Sequence, residues 1–270
     1  MFHKIPPSLI NRLCTRPKGM ISLMGAGGKT SLMFRLAKDL SNAGKKVLTT
    51  TTTKIFFPDK HLSPETVIAH SAHDLIKKSK AGLCRYSHFS AGKHHDTSSG
   101  KLEGFSPDIL DQLWQADLFD WIIVEADGSR QKPLKATDAH EPVLPKSTAL
   151  LVLVTGLDSV GLPLDENHVH RAGLFSKNTG LDLGQAVDES SIAVSIAVEM
   201  KKAAWLCTAS DRLLFLNKAD TPGRIESGLH IAGLLKGNPY LDRVVIASLK
   251  DEFCIKKEII LYPNLTKDAP

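Results

Sequence analysis

The strongest constraint on this chain is one short run, Gly25-Ala-Gly-Gly-Lys-Thr-Ser31, set where the hydrophobic period changes. Before it, Gly19–Met24 is an apolar stretch of strand length. After it, Leu32, Leu36 and Leu40 recur every fourth residue with Met33 and Ala37 beside them, which predicts an amphipathic helix that Gly44 stops. Lys46–Thr49 then reads as a second strand, ending in the threonine run 49–53. Strand, glycine loop, helix and strand in that order confine the segment to a β-loop-α-β unit, the setting in which loop amides and a helix N-terminus hold a phosphate.

The remaining pattern extends the same architecture. Strands are expected at Thr66–His70, Asp120–Val124, Ala149–Val154, Arg212–Leu216 and, as the last, Arg243–Ala247; helices are expected at Asp74–Lys80, Ser106–Trp114, Asp188–Lys202 and Arg224–Lys236. Ala91–Gly104, rich in Gly, Ser, His and Lys, reads as an exposed loop. The prediction is an α/β fold, a three-layer α/β/α sandwich with a mostly parallel sheet, in a single domain over 1–270 with a poorly defined loop insertion around 91–104.

Composition narrows the setting. With 42% apolar and 23% charged residues the chain is neither disordered nor fibrous. Apolar runs such as Ala149–Val154 fall far short of the roughly 20 residues that span a bilayer. Met1–Gly19 mixes Lys4, Arg12, Arg16 and Lys18 with prolines, so a soluble protein without an export signal is expected. Cys14, Cys84, Cys207 and Cys254 are widely spaced and form no Cys-x-x-Cys, which fits inert thiols in a reducing cytoplasm. The net charge is only +5, yet residues 1–60 hold 11 Lys/Arg against two Asp, a net +9, and the other 210 residues carry −4. Nucleic acid is not the expected partner of that excess, because the chain is only 6% aromatic and no helix carries a basic stripe. A triphosphate accounts for it better.

Within the loop, the backbone of Gly25, Ala26, Gly27, Gly28 and Thr30 and the side chain of Lys29 are the expected phosphate contacts, with Ser31 beside them; the Thr30 hydroxyl is the expected Mg²⁺ ligand. The full phosphate-loop pattern asks for glycine at position 23, where Leu23 stands, so the loop is a shortened variant. The competing dinucleotide-loop reading lacks its third glycine, since Thr30 occupies that place, and has threonines where the acidic ribose partner belongs. A turn that serves packing alone is the other alternative.

Three further groups extend the site. Glu125 and Asp127, just past the Trp121–Val124 strand, stand where phosphate-loop enzymes hold Mg²⁺ and orient water, or are simply the first solvated residues after a core strand. Asn217, Lys218 and Asp220 form an Asn-Lys-x-Asp element, with which GTP-binding folds accept from guanine N1 and N2, a contact adenine cannot make, or they are simply a polar loop after a strand. Ser248, in Ala247-Ser-Leu-Lys250, stands where a second base loop is expected. Thr51, with Thr52, is a candidate switch residue or a β-branched strand end. His94, His95, His168 and His170 are read as solvated rather than metal-bound, since adjacent histidines do not readily share a tetrahedral site.

Together Gly25–Ser31, Thr49–Lys54, Val124-Glu-Ala-Asp-Gly-Ser-Arg130, Pro133-Leu-Lys135, His140-Glu-Pro142 and Asn217–Asp220 resemble the selenium-dependent hydroxylase accessory proteins of the YqeC type. The resemblance implies a P-loop NTPase near the metallocentre-maturation GTPases, Mg²⁺-dependent, using GTP or ATP with GTP favoured. Its implied partner is a client molybdenum hydroxylase or the machinery that matures it. A homo-oligomer is compatible with this, and no membrane is involved. Glu141 and the basic turn Arg130–Lys135 are then candidates for a family-specific surface beyond the nucleotide. A nucleotide-regulated chaperone or interaction module with little turnover, and an ATP-dependent ligase or kinase, are the alternatives.

Overall fold

A computed structural model gives the fold for residues 8–207, 209 and 211–261. Met1–Pro7, part of the stretch read as lacking an export signal, lie outside the described residues. The chain divides into two compact units: Met1–Met24, Lys29–Gly128 and Glu141–Leu150 make the first, and Gly25–Gly28, Ser129–His140 and Leu151–Pro270 the second.

In the first unit the elements are α1 (Leu9–Leu13), β1 (Gly19–Gly25, its last residue counted with the second unit), α2 (Lys29–Asn42), β2 (Val47–Thr51), β3 (Lys54–Phe56), β4 (Thr66–Ile68), α3 (Ala72–Leu83), β5 (His88–Gly92), β6 (His94–Asp96), β7 (Lys101–Glu103), α4 (Pro107–Gln115) and β8 (Trp121–Glu125). The strands run in the order β1-β8-β2-β5-β4, all paired in parallel. Every residue of β1, β2 and β8 is buried. That is the continuous burial a parallel strand acquires when helices cover both of its faces. The register sets Leu23 of β1 and Thr51 of β2 on either side of Glu125, so β2 and β8 end level beside that carboxylate and β1 runs two residues further. Met20, Leu48, Phe89, Ile122 and Val124 from the sheet pack with Leu75, Leu110, Leu113 and Phe119.

The segment 91–104 corrects the loop expectation. Ala91 and Gly92 complete β5, and β7 pairs antiparallel with β3 on one side and β6 on the other in a separate three-stranded sheet. Strand β5, His-Phe-Ser-Ala-Gly, has too little apolar periodicity to be read in advance, yet all five residues are buried. Its polar groups are satisfied across the sheet: Thr49 Oγ1 lies 2.7 Å from Ser90 Oγ and 3.1 Å from His88 Nε2.

Burial pushes the His88 imidazole down to about 4, so it is neutral at pH 7. The unfolded chain, with an ordinary imidazole, binds a proton that the folded chain refuses between pH 6.5 and 4. Stability is therefore expected to fall by roughly 3 kcal/mol as pH is lowered through that window. Urea midpoints measured from pH 7 to pH 4 should show this slope in the wild type and its flattening in His88→Gln.

The second unit contains β9 (Leu134–Lys135), β10 (Thr148–Gly156, its first three residues counted with the first unit), β11 (Val169–His170), α5 (Ala172–Thr179), α6 (Glu189–Leu206), β12 (Asp211–Asn217), α7 (Pro222–Leu234), β13 (Arg243–Ala247) and β14 (Ile255–Ile260). Its larger sheet has the order β14-β13-β12-β10, with β12 and β13 parallel, and β9 pairs in parallel with β11. Helix α6 opens on a reciprocal cap, Asp188 with Ser191, and α7 on Thr221 followed by Pro222, so both begin where side chains satisfy the first amides. The expectation that β13 is the last strand is corrected: β14 adds antiparallel to it. Its sequence, Ile-Lys-Lys-Glu-Ile-Ile, suits a half-exposed edge and carries no buried-strand signature. Both units are α/β with mostly parallel sheets.

Candidate functional site

The loop between β1 and α2 is held open by backbone that only glycine adopts easily. Gly25, Gly27 and Gly28 have φ of 94°, 82° and 129°. A Cβ on Gly27 would lie 2.3 Å from the Gly156 amide nitrogen, and one on Gly28 would lie 2.3 Å from Asn217 Nδ2. The loop is thus both left-handed and tightly backed. Two amides expected to face phosphate are engaged elsewhere: Ala26 N–H donates to the Val154 carbonyl and Gly27 N–H to that of Lys132.

In the first unit, the opening of α2 meets the end of β8. Lys29 is 3% exposed, and its Nζ lies 3.1 Å from Asp127 Oδ1 and 3.7 Å from Glu125 Oε1. Thr30, the next residue, donates its hydroxyl to Glu125 Oε2 at 2.7 Å. Asp127 is 0% exposed and Glu125 6%, so neither is the solvated end-of-strand carboxylate of the alternative reading. Burial pulls the Lys29 ammonium down, but Asp127 and Glu125 outweigh it and hold the group above its ordinary value. For Glu125 the balance reverses: burial, joined by Asp127, pushes its carboxyl up more than Lys29 and Thr30 draw it down. One ammonium between two carboxylates leaves a surplus negative charge facing a hydroxyl. That hard-oxygen donor set, Thr30 with Glu125 and Asp127, fits Mg²⁺.

The threonine run supports this cluster rather than standing apart from it. Thr51 is buried at the end of β2 and donates its hydroxyl to the Glu125 carbonyl at 2.7 Å, while Thr52 donates its hydroxyl to the Val143 carbonyl at 2.7 Å. The expected switch hydroxyl of Thr51 is committed to fixing Glu125 in place. Ser31 is exposed on the first turn of α2. Glu141 lies outside the cluster read from the motifs, yet it is buried and its charge adds to the pull on Lys29. Its place beside Lys29, and not on an outer surface, carries no local sequence signal beyond the His140-Glu-Pro142 resemblance.

In the second unit, β12 ends at Asn217, whose Nδ2 donates to the Gly27 carbonyl at 2.8 Å and whose Oδ1 accepts from Leu249 N–H. Gly27 is two residues before Lys29, so chain continuity ties this loop to the phosphate loop. Lys218 takes a left-handed φ of 64° and pairs with Asp158 at 2.7 Å. Asp220 accepts from Ser248 Oγ at 2.7 Å and faces Lys250 and Arg224 through Oδ2. The Ser248 hydrogen bond, with those two cations, holds its carboxyl below the usual range. The two loops that the motifs proposed as base readers therefore meet at one ionised carboxylate.

The histidines do not assemble. No group of three His, Cys, Asp or Glu suited to a metal occurs among the described residues. His95 stacks on Phe57, and His168 pairs with Asp165 at 2.7 Å. His94 lies exposed on β6 and His170 is buried on β11. No helix among the described residues is long and apolar enough to cross a membrane.

Comparison with known proteins gives a family match and distant structural likenesses. Residues 21–173 match the family described as YqeC protein. Over 167 residues the chain is 39% identical to the "Uncharacterized protein YqeC" of Escherichia coli (strain K12), an alignment that covers 60% of this chain and 61% of that protein. Chloroplast FtsY from Physcomitrella patens superposes with a TM-score of 0.41 at 12% identity, over 85% of this chain and 59% of that one. A GTPase in apo form from Pyrococcus abyssi superposes with a TM-score of 0.39 at 12% identity, over 86% and 91%.

Proposed function

The chain belongs to the YqeC family, and from the Lys29 cluster we propose that it binds a Mg²⁺-nucleoside triphosphate, GTP in preference to ATP, and hydrolyses it slowly. The observation that carries this is Lys29, buried between Asp127 and Glu125 at the start of α2, with Thr30 hydrogen-bonded to the same Glu125. A lysine and a hydroxyl residue opening a helix after a left-handed glycine loop supply a phosphate cation, a metal ligand and a helix N-terminus within a few residues.

In this reading Lys29 exchanges its carboxylate partners for phosphate oxygens. The amides of Gly28, Thr30 and Ser31, at a helix start where no intrahelical acceptor exists, add donors. Thr30, Glu125 and Asp127 would hold Mg²⁺, which when bound neutralises phosphate charge. Thr51 keeps Glu125 in register. Asp220, ionised and fixed by Ser248, accepts from guanine N1 and N2, while Asn217 fastens its loop to Gly27. Asp158 holds Lys218 at the neck of that loop.

The client assignment rests on the resemblance of Val124–Arg130 and the flanking motifs. We take hydrolysis to gate delivery of a cofactor to a selenium-dependent molybdenum hydroxylase.

A nucleotide-affinity panel tests the core of the reading. GTP, GDP, ATP and ADP are titrated by calorimetry with and without Mg²⁺. Triphosphate binding that strengthens with Mg²⁺ and favours GTP is expected. Preference for ATP would remove the base-reading role of Asn217 and Asp220, and absence of binding to any of the four would remove the function proposed here.

A further inference from the structure

A second concave site lies within the first unit, at the carboxyl ends of β2, β4 and β5. Thr52, His70 and Lys93 follow those strands by one or two residues and line a pocket of about 480 Å³. In open parallel sheets the crevice outside the carboxyl ends of the strands is where ligands bind, and this volume falls within the roughly 300–1,000 Å³ of small-molecule sites. The Lys29 cluster gives no role to Thr53 and Lys54, which also line the pocket.

The back wall is pre-formed. After β7 the chain crosses the end of β2 so closely that a Cβ on Gly104 would lie 1.9 Å from the Thr51 carbonyl oxygen. Only glycine permits that approach. Gly104 N–H donates to the Thr53 carbonyl at 2.7 Å and Phe105 N–H to that of Thr51 at 2.9 Å, which fixes the crossing. Buried Phe105 and Ile109 of α4 then give the pocket an apolar wall, and Ser106 adds a hydroxyl that makes no capping bond to α4.

The charged lining is arranged around one carboxylate. The Lys54 ammonium lies 3.9 Å from Glu103 Oε2 and the Lys93 ammonium 3.9 Å from Glu103 Oε1. Both separations exceed hydrogen-bond reach, and the lysine side chains are 59% and 51% exposed, so neither pair adds much to stability. Two ammoniums with spare donors share one carboxylate, and His70 can only add to that excess. Surplus positive charge beside an apolar wall and a hydroxyl is the complement of a small organic anion. Thr52, whose amide donates to the Glu125 carbonyl at 3.1 Å, makes the pocket a neighbour of the Lys29 cluster.

We propose that this pocket binds a small organic oxyanion, a carboxylate or a phosphate monoester, held by Lys54 and Lys93 with its carbon skeleton against Phe105 and Ile109. Glu103 is the internal counter-ion that the ligand replaces. It keeps the two ammoniums together before the ligand arrives, and it releases them at little cost because both pairs are long and exposed. The site goes beyond the nucleotide reading and does not depend on it.

The test titrates the isotope-labelled full chain, without nucleotide, with methyl phosphate, propionate and 1-propanol while backbone amide resonances are followed. Saturable shifts at Thr52–Lys54, Lys93 and Gly104–Ser106 are expected from at least one anion, with a dissociation constant on the order of millimolar, and none from propanol. Whichever anion binds more tightly names the headgroup. In Lys54→Gln/Lys93→Gln the affinity should fall about tenfold or more, whereas Glu103→Gln, which removes the competing carboxylate, should raise it about threefold or more. Melting temperatures should stay near wild type in both, and effects of opposite sign do not arise from a loosened fold. No saturable shift at these amides, an equal response to propanol, an affinity indifferent to loss of both lysines, or a weaker affinity in Glu103→Gln would overturn the assignment. GTP binding is a separate result: its absence would remove the nucleotide reading and leave this site standing, and failure of the anion titration would leave the nucleotide reading standing.

Discussion

Replacing Lys29 with alanine is expected to abolish triphosphate binding and, separately, to destabilise the first unit. The binding loss follows from deleting the phosphate cation while leaving Asp127 and Glu125 to repel the incoming charge. The destabilisation follows from what stays behind: two carboxylates, 0% and 6% exposed, lose their buried ammonium. Removing one partner of a buried ion pair costs about 3–5 kcal/mol. Thr30 still satisfies one oxygen of Glu125.

The sign of the pH dependence separates this mechanism from simple cavity formation. A carboxyl whose folded value lies above its unfolded one contributes stability below the unfolded value and loses it as pH rises through the folded one. Glu125 is already raised with Lys29 present, and without that ammonium its carboxyl rises further. The deficit of Lys29→Ala relative to wild type should therefore shrink as pH is lowered from 8 towards 5, as seen in urea midpoints. A cavity alone would give a deficit independent of pH. Unchanged GTP affinity in a folded Lys29→Ala protein would remove Lys29 from the site.

Much of the architecture was legible because parallel strands buried on both faces must be continuously apolar. Met20–Met24, Trp121–Val124 and Leu150–Val154 carry that mark, and Gly25–Ser31 fixes what lies between the first strand and its helix. The pattern failed where polar residues are buried in pairs. Strand β5 carries His88 and Ser90, which look like loop residues until Thr49 is placed opposite them. It failed again at β14, where an edge strand needs no apolar run.

The site divides along the same line. Lys29, Thr30, Glu125 and Asp127 could be named because a phosphate loop and a strand end dictate their places. The packing that surrounds them could not: Glu141 acts on Lys29 from more than a hundred residues away in sequence, and Thr51 spends its hydroxyl on a main-chain carbonyl of another strand. Positive φ at Arg130 and Gln131 was equally hidden, since neither residue type announces it.

The second large effect is expected at Asp220. Guanine offers two donors on one edge, N1–H and the exocyclic N2 amine, and an ionised carboxylate accepts both. The carboxylate is prepared for this: Ser248 donates to Oδ1, and Lys250 and Arg224 stand 3.2 and 3.4 Å from Oδ2. Asp220→Asn keeps the shape and the Ser248 hydrogen bond but turns one acceptor into a donor, which then faces the guanine amine. The bond to the guanine amine, about 1.5 kcal/mol to a charged acceptor, gives way to two opposed donors, and the remaining bond loses its charge; together these amount to about 3 kcal/mol, so GTP affinity should fall roughly 100-fold. Xanthosine triphosphate, which carries a carbonyl where guanine has the amine, meets the new amide donor with an acceptor. The variant is therefore expected to bind xanthosine triphosphate more tightly than GTP, reversing the wild-type order in the same titration. ATP, which lacks both guanine donors, should respond little to the substitution. If Asp220→Asn binds GTP as wild type does, the carboxylate serves only to join its loop to Ser248, and the base is read elsewhere.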